Sequence, residues 1–425
     1  SLADCLDGID PERTASILTD ATDAVLGGAL TVATGLVIAQ RDGVEAVAGG
    51  FGADGCWEAA LARHAVVAMG RLGGREIGYA SDADVLFVHE ARDGADDAAA
   101  AQEAEAVAKQ VVGLLASARP HPLEVDSDLR PEGRQGVMSR SLAAYGEYYG
   151  RWAALWERQA LLRARACAGD RELGGRFEEL INPLRWAEGG LSTQDLREIR
   201  RIKARVETER LPRGINPVRH LKLGPGGLSD VEWSAQVLQL AHAGQITGLR
   251  TTSTIAALQA AVQGGLLSAD DGGVLVAAWI LASRLRCAIV LGTGRASGPR
   301  SQVLPVQIRE IRLVGRLIGL GSGRERELED IYRRSARHTR TVAERIVFAD
   351  GGLQESPSSA SSPSTSTSAA RDQAPSSAPG RSAAPAGKTR KRPRRDAGTT
   401  GTMRSRGTGR NRATRRRPEG PYPWS

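Results

Sequence analysis

Ala68-Met-Gly-Arg-Leu-Gly-Gly-Arg-Glu-Ile-Gly-Tyr-Ala-Ser-Asp-Ala-Asp-Val-Leu-Phe87 decides the fold of this 425-residue chain. Its start completes an apolar, partly β-branched run, Ala65 to Met69, which reads as a strand. Gly70 to Arg75 is a turn, and Asp82 to His89 a second strand. Side chains two apart on a strand share a face, so Asp82 and Asp84 project together. Left alone, two such carboxylates repel, and one tends to take up a proton. A divalent cation removes that cost and supplies Lewis acidity; oxygen ligands favour Mg²⁺ or Mn²⁺ over zinc. Gly70, Gly73 and Gly74 let the backbone approach a ligand, and their N–H groups suit phosphates.

A two-metal phosphoryl-transfer site calls for a third carboxylate. Glu124-Val-Asp-Ser-Asp128 offers three on one face of the next strand, and spacing alone does not choose among Glu124, Asp126 and Asp128. Glycine turns and D-x-D pairs are each common on surfaces. A strand, a double glycine and a D-x-D eight residues later are more specific than any part alone. The Gly70-Arg-Leu-Gly73 spacing is not that of a dinucleotide fingerprint, and the second strand follows too soon for a crossover helix. No GxxxxGK[ST] loop occurs.

Working outward, residues 11–47, 57–64 and 97–118 read as helices and Pro122 to Leu129 as a third strand. Beyond about residue 140 the strands are expected to stop. Leu142 to Ala166 reads as helix, followed by a charged helix ending at Pro212, then Asp230 to Ala243, Thr251 to Gly264, a helix capped at Ser268, Gln307 to Ile318 and Arg324 to Phe348: a bundle of roughly six helices. Residues 350–425 are Ser, Pro, Ala, Gly and Arg with few apolar side chains, a composition expected to stay disordered. From Asp350 onward fifteen Lys/Arg oppose five Asp/Glu, so the tail carries +10 of a net +8 and the rest is −2. The pI of about 9.7 therefore belongs to a tail able to hold polyanions such as nucleic acid without choosing among them. An unselected extension explains that tail equally simply. Cys5, Cys56, Cys167 and Cys287 are scattered and read as free thiols in a reducing compartment, with no zinc site. The longest apolar run, Val274 to Leu281, is shorter than the ~20 residues of a membrane span. Asp4, Asp7 and Asp10 stand where a signal peptide would be basic. These features point to a cytoplasmic protein, and the absent initiating Met to a fragment or processed product.

The Ala68–Phe87 segment resembles the polymerase-β-type nucleotidyltransferase superfamily. More narrowly, it resembles the glutamine synthetase adenylyltransferase family, also called the bifunctional adenylyltransferase/adenylyl-removing enzyme. Three further stretches support the resemblance: Glu124-Val-Asp-Ser-Asp-Leu-Arg-Pro-Glu-Gly-Arg134, Trp156-Glu-Arg-Gln-Ala-Leu-Leu-Arg-Ala-Arg165, and His220-Leu-Lys-Leu-Gly-Pro-Gly-Gly-Leu-Ser-Asp-Val-Glu-Trp233. It implies an α+β fold. A nucleotidyltransferase domain with a small mixed sheet and helices would cover residues 1–140 and an all-α bundle 141–349, with the disordered basic tail over 350–425. It selects Asp126 as the third carboxylate, so that Asp82, Asp84 and Asp126 hold Mg²⁺. The expected nucleotide contacts are Gly73, Gly74, Ser81, Arg130 and Lys222. The implied reaction moves AMP from ATP to a tyrosine of glutamine synthetase, with PII-type signal proteins as regulators. The wording of the two motifs resembles the adding rather than the removing unit. A phosphorolytic AMP-removing unit, a uridylyltransferase and a non-catalytic regulatory fragment are the alternatives. Asp128 stands where many relatives have Arg, which puts an anion near the metals. Arg163 and Arg165 are expected in salt bridges, Asp230 and Glu232 in capping or salt bridges, His220 packed in its loop, and Trp152 and Trp156 in the core.

Overall fold

In a computed structural model, residues 8–43, 57–298, 300–321 and 323–348 are described. The tail expected to be disordered, and Cys5 and Cys56, lie outside them. The chain opens with helix α1 (Pro11–Asp42), started by the Asp10 carboxylate accepting from the Glu12 and Arg13 amides and closed by Gly43 in the left-handed region. Then come β1 (Ala62–Ala68), the single-turn helix α2 (Gly70–Gly73), β2 (Ala83–Ala91), α3 (Asp97–Ser117), β3 (Val125–Asp126) and β4 (Ser139–Ser141). They are followed by α4 (Leu142–Trp152), α5 (Leu155–Leu161), β5 (Arg165–Gly169) and α6 (Arg171–Arg185).

The sheet is mixed, in the order β3-β2-β1-β5, with β4 also on β2. β1 runs antiparallel to β2 and β5, whereas β3 and β4 lie parallel to β2 at its two ends. Strand alternation sends Val66, Val85 and Phe87 to one face, against Leu26 and Leu30 of α1 and Val107 and Val111 of α3. Val67, Leu86 and Val88 point to the other, against Tyr145 of α4 and Phe177 of α6. The fold is α+β, as the sequence implies.

Several details differ from the sequence reading. Residues 62–64 are strand, not helix, because the pairing of β1 with β2 runs back to Ala62↔Ala91. The third strand shrinks to two residues. Strand pairing also continues past residue 140: β5 lies where helix was expected and pairs with β1. Its five residues alternate weakly and follow a helical motif with no break signal, so their pattern was hidden.

The remaining helices are α7 (Thr193–Glu209), α8 (Leu228–His242), α9 (Thr254–Gln263), α10 (Ala269–Thr293), α11 (Ile308–Leu317) and α12 (Leu328–Val347). They share a core built around Val231, Leu238, Leu258, Leu285 and Tyr332. Ser268 caps α10 by accepting from the Asp271 amide at 3.1 Å. α1 and α10 have the length and composition to cross a membrane, which the apolar-run estimate had not anticipated. Here α1 lays one face on the sheet core and α10 lies within the bundle core. Trp152 is 55% exposed, not core, because α4 ends there; Trp156 packs against both cores.

The bundle is keyed to the turn after β1 by a buried cluster. Glu76, just after α2, accepts from Arg163 Nη1 at 2.7 Å, from the Thr254 amide at 2.5 Å and from Thr254 Oγ1 at 2.9 Å. Arg163 also donates to Thr252 O at 2.8 Å. Arg165 forks onto Asp23 at 2.8 and 3.0 Å. Both arginines are thus engaged in salt bridges, as expected.

Candidate active site

Register builds the acidic centre. β3 pairs with β2 so that Ala83 faces Val125 and Asp84 faces Asp126. The parallel neighbour of Asp84 is therefore Asp126, which removes the choice among three carboxylates that spacing left open. Oxygen atoms of Asp82, Asp84 and Asp126 lie within 4.8 Å of one another. Glu124 and Asp128 stay outside this group. The Asp128 carboxylate is held by Arg134 at 2.6 Å and lies 3.7 Å from Arg130; its charge is countered there, and it still acts on the neighbouring Asp126, which it helps to raise.

The electrostatics fit an oxygen-ligand cation site. Burial pushes the Asp84 carboxyl up to about 7, helped by Asp82, Asp126 and Glu232 and opposed by the Lys222 ammonium. Burial also raises Asp126, although its Oδ1 accepts the Asp128 amide at 2.7 Å. Holding three such carboxylates together is unfavourable without positive charge, and hard oxygen donors in this arrangement suit Mg²⁺ or Mn²⁺.

Lys222 sits on the loop before α8, its ammonium in the field of Glu232, Asp84 and Asp82 and its affinity for a proton lowered chiefly by burial. Glu232 lies 3.8 Å from the Arg71 guanidinium. Sequence reasoning gave Glu232 a plain salt bridge; it has one, and it also belongs to the acidic centre's surroundings. Asp230 instead binds Lys203 at 2.5 Å and the Gly226 amide at 2.7 Å. The His220 ring is buried and kept neutral, its affinity for a proton pushed down to about 4 by desolvation. Its Nδ1 accepts the Leu223 amide at 3.1 Å, a packed loop residue as expected.

Three expected nucleotide contacts need correction. The Gly73 amide bonds Met69 O at 2.7 Å and the Gly74 amide bonds Gly70 O at 3.2 Å, so neither N–H is free for phosphate. A Cβ on Gly73 would fall 1.8 Å from Arg163 O, and one on Gly74 2.2 Å from Arg163 Nη1. These glycines let the turn pack on the Arg163 segment. Gly70 is the glycine that faces the acids: its φ is +50° and a Cβ there would fall 2.1 Å from Asp84 Oδ2. Its position directly after a strand was the available signal. Arg130 is buried and donates to Ser127 O at 2.8 Å and Gly136 O at 3.1 Å; it braces the loop after β3 rather than facing a ligand. Ser81 Oγ accepts the Gly78 amide at 3.2 Å, which leaves its hydroxyl proton able to donate.

Comparison with known proteins follows the same division. A family model described as Glutamate-ammonia ligase adenylyltransferase matches residues 1–180, the part carrying the three aspartates. A Bifunctional glutamine synthetase adenylyltransferase/adenylyl-removing enzyme of Streptomyces coelicolor is 54% identical over 289 residues, 68% of this chain and 28% of its own length. The chain belongs to this family. The enzyme of the same name from Nocardia farcinica is 48% identical over 291 residues, 68% of this chain and 29% of its own. That from Cutibacterium acnes is 41% identical over 348 residues, 82% of this chain and 32% of its own. The chain thus spans about 30% of the length of these relatives. A model described as GlnD PII-uridylyltransferase matches residues 198–347, the bundle from within α7 to the end of α12.

Proposed function

We propose that this chain carries an adenylyl-transferring unit that moves AMP from ATP to a tyrosine hydroxyl of glutamine synthetase. The observation that carries the reading is the convergence of Asp82, Asp84 and Asp126 on one point, in the segment matched by the adenylyltransferase family model. In the reaction the tyrosine oxygen bonds to the α-phosphorus, the bond from that phosphorus to the bridging oxygen breaks, and pyrophosphate leaves. Asp82, Asp84 and Asp126 would hold Mg²⁺. When bound, the metal supplies Lewis acidity that lowers the pKa of the attacking hydroxyl and stabilises the leaving pyrophosphate. Lys222 balances the carboxylate charge, and the Ser81 hydroxyl donates to a phosphate oxygen. The cluster of Glu76, Arg163 and Thr254 keeps bundle and sheet in register, so that Lys222 stays beside Asp84.

Adding rather than removing AMP is supported by the wording of the two motifs. Uridylyl transfer is the second reading, favoured by the match of the bundle to the PII-uridylyltransferase model. A paired assay decides between them. ATP with unmodified glutamine synthetase, phosphate with the adenylylated form, and UTP with a PII-type protein are each offered to the wild type and to Asp84→Ala. Transfer from ATP that Asp84→Ala abolishes is the expected result. Activity only in one of the other two mixtures reassigns the unit, and an active Asp84→Ala variant refutes the site.

A further inference from the structure

The chain before the tail is divided into halves of opposite charge. Residues 193–349 hold 24 Lys/Arg against 14 Asp/Glu, a net of +10, whereas residues 1–192 hold 18 against 30, a net of −12. Such a split attracts surfaces of one sign to each half and repels the other. In the positive half, α7 and α12 carry the free cations. The two helices lie side by side and antiparallel: Arg200 Nε of α7 donates to Val347 O at the end of α12 at 2.8 Å, and Arg340 Nη1 donates to Glu207 at 2.7 Å. α7 buries Ile199, Ile202 and Val206, and α12 buries Tyr332, Ala336 and Ala343. Helical spacing turns Arg197, Arg201, Arg334 and Arg337 to the outside, where all four are exposed. None of them forms an ion pair among the described residues. Of the seven Asp/Glu on the two helices, the α7 cap engages Asp195 and ion pairs engage four, which leaves Glu198 and Asp330 to oppose these arginines.

The inner sides of the same helices anchor this face to the acidic centre. Lys203 of α7 and Arg340 of α12 both hold Asp230, at 2.5 and 3.3 Å, in the first turn of α8. One residue earlier, the Ser229 amide donates to Lys222 O at 3.0 Å, and the Lys222 ammonium lies in the field of Asp84 and Asp82. We propose that the paired outer faces of α7 and α12 dock an acidic patch of the protein substrate and guide its hydroxyl-bearing segment to the acidic centre. This rests on the nucleotidyl-transfer reading and adds to it a place for the second substrate. A long polyanion such as nucleic acid fits less well, because its phosphates would run on over the negative half of the molecule. A compact acidic protein surface meets the bundle alone. Complementary charge of this kind acts on encounter and on salt dependence more than on the chemical step.

Surface plasmon resonance on immobilised, unmodified glutamine synthetase tests the assignment with the full chain. The proteins are wild type, Arg197→Glu/Arg201→Glu, Arg334→Glu/Arg337→Glu, and the control Arg151→Glu/Arg171→Glu, which makes the same change in net charge at exposed residues of the negative half. At about 0.1 M salt each bundle pair should bind about tenfold more weakly than wild type, and the control like wild type. The difference should vanish near 1 M salt, where the screening length falls from about 10 to about 3 Å. In transfer assays the KM for glutamine synthetase should rise by the same factor, with kcat and the KM for ATP unchanged. Thermal melting checks folding, and should one bundle pair melt early, the other carries the test. Unchanged binding in the bundle variants, equal weakening in the control, or a wild type that does not bind the synthetase overturns the proposal. So does tighter binding of a DNA duplex than of the synthetase, lost in the same variants. A wild type that binds the synthetase through these arginines yet transfers nothing to it removes the transfer reading and leaves the docking face standing.

Discussion

Replacing Gly70 by alanine should separate catalysis from folding. The backbone at Gly70 has φ +50°, and an added Cβ would fall 2.1 Å from Asp84 Oδ2. Real Cβ contacts essentially never fall under 3.0 Å, so the carboxylate must retreat by about 0.9 Å. Left-handed backbone costs a non-glycine residue about 1–2 kcal/mol, a loss a folded domain tolerates. Misplacing a reacting group by about 1 Å costs about 100-fold in rate. Gly70→Ala should therefore stay folded, with unfolding free energy lower by about 1–2 kcal/mol, while AMP transfer falls about 100-fold. Gly73→Ala behaves in the opposite sense. Its Cβ would meet Arg163 O at 1.8 Å and Ala68 O at 2.6 Å, both backbone atoms that cannot swing aside. The expected loss is more than about 3 kcal/mol of stability, with any residual activity lost in proportion to the unfolded fraction. Denaturant melts and single-turnover transfer from labelled ATP measure both quantities. A Gly70→Ala protein with transfer near wild type, or a Gly73→Ala protein as stable as wild type, refutes this geometry.

Two further outcomes follow from the buried charges. Arg163→Met leaves Glu76 buried without its cation, which should cost about 3–5 kcal/mol, whereas adding Glu76→Gln to it should recover a good part; a chemical-denaturation cycle of the four proteins reads the coupling. His89 is buried, and desolvation holds its folded pKa at about 4, below the ordinary value of 6.5, so the neutral ring is the folded form. The unfolded chain then binds the extra proton between these values. The stabilisation is complete above about pH 6.5 and declines as pH falls towards 4. Relative to wild type, His89→Gln, which can keep the bond to Ser139 Oγ seen at 2.9 Å, should lose roughly 3 kcal/mol less over that range. Parallel pH profiles of unfolding free energy for the two proteins would contradict this.

The sequence carried the acidic centre because its determinants are local. A two-residue strand period puts Asp82 and Asp84 on one face, and that could be read directly. Asp126 required the register of β3 on β2, a long-range pairing that only the resemblance supplied in advance. β5 escaped because its partner is β1, about a hundred residues earlier in the chain, and no local alternation announces it. The glycine roles were misassigned for a similar reason. The double glycine is the conspicuous feature of the motif, but what it approaches is the Arg163 segment, invisible to a local reading. Arg130 was expected at the nucleotide from the motif it lies in, yet it is spent on Ser127 and Gly136, whereas Asp128 does stand beside Asp126, with Arg134 countering its charge. Arg71 and Glu232 enter the site only through packing of the bundle on the turn.

Binding of Mn²⁺, followed by the loss of its free paramagnetic signal, probes the proposed metal role of the three carboxylates most directly. Wild-type protein should take up Mn²⁺, and each of Asp82→Asn, Asp84→Asn and Asp126→Asn should weaken that uptake by at least about tenfold. Equal uptake by all four proteins would contradict the account.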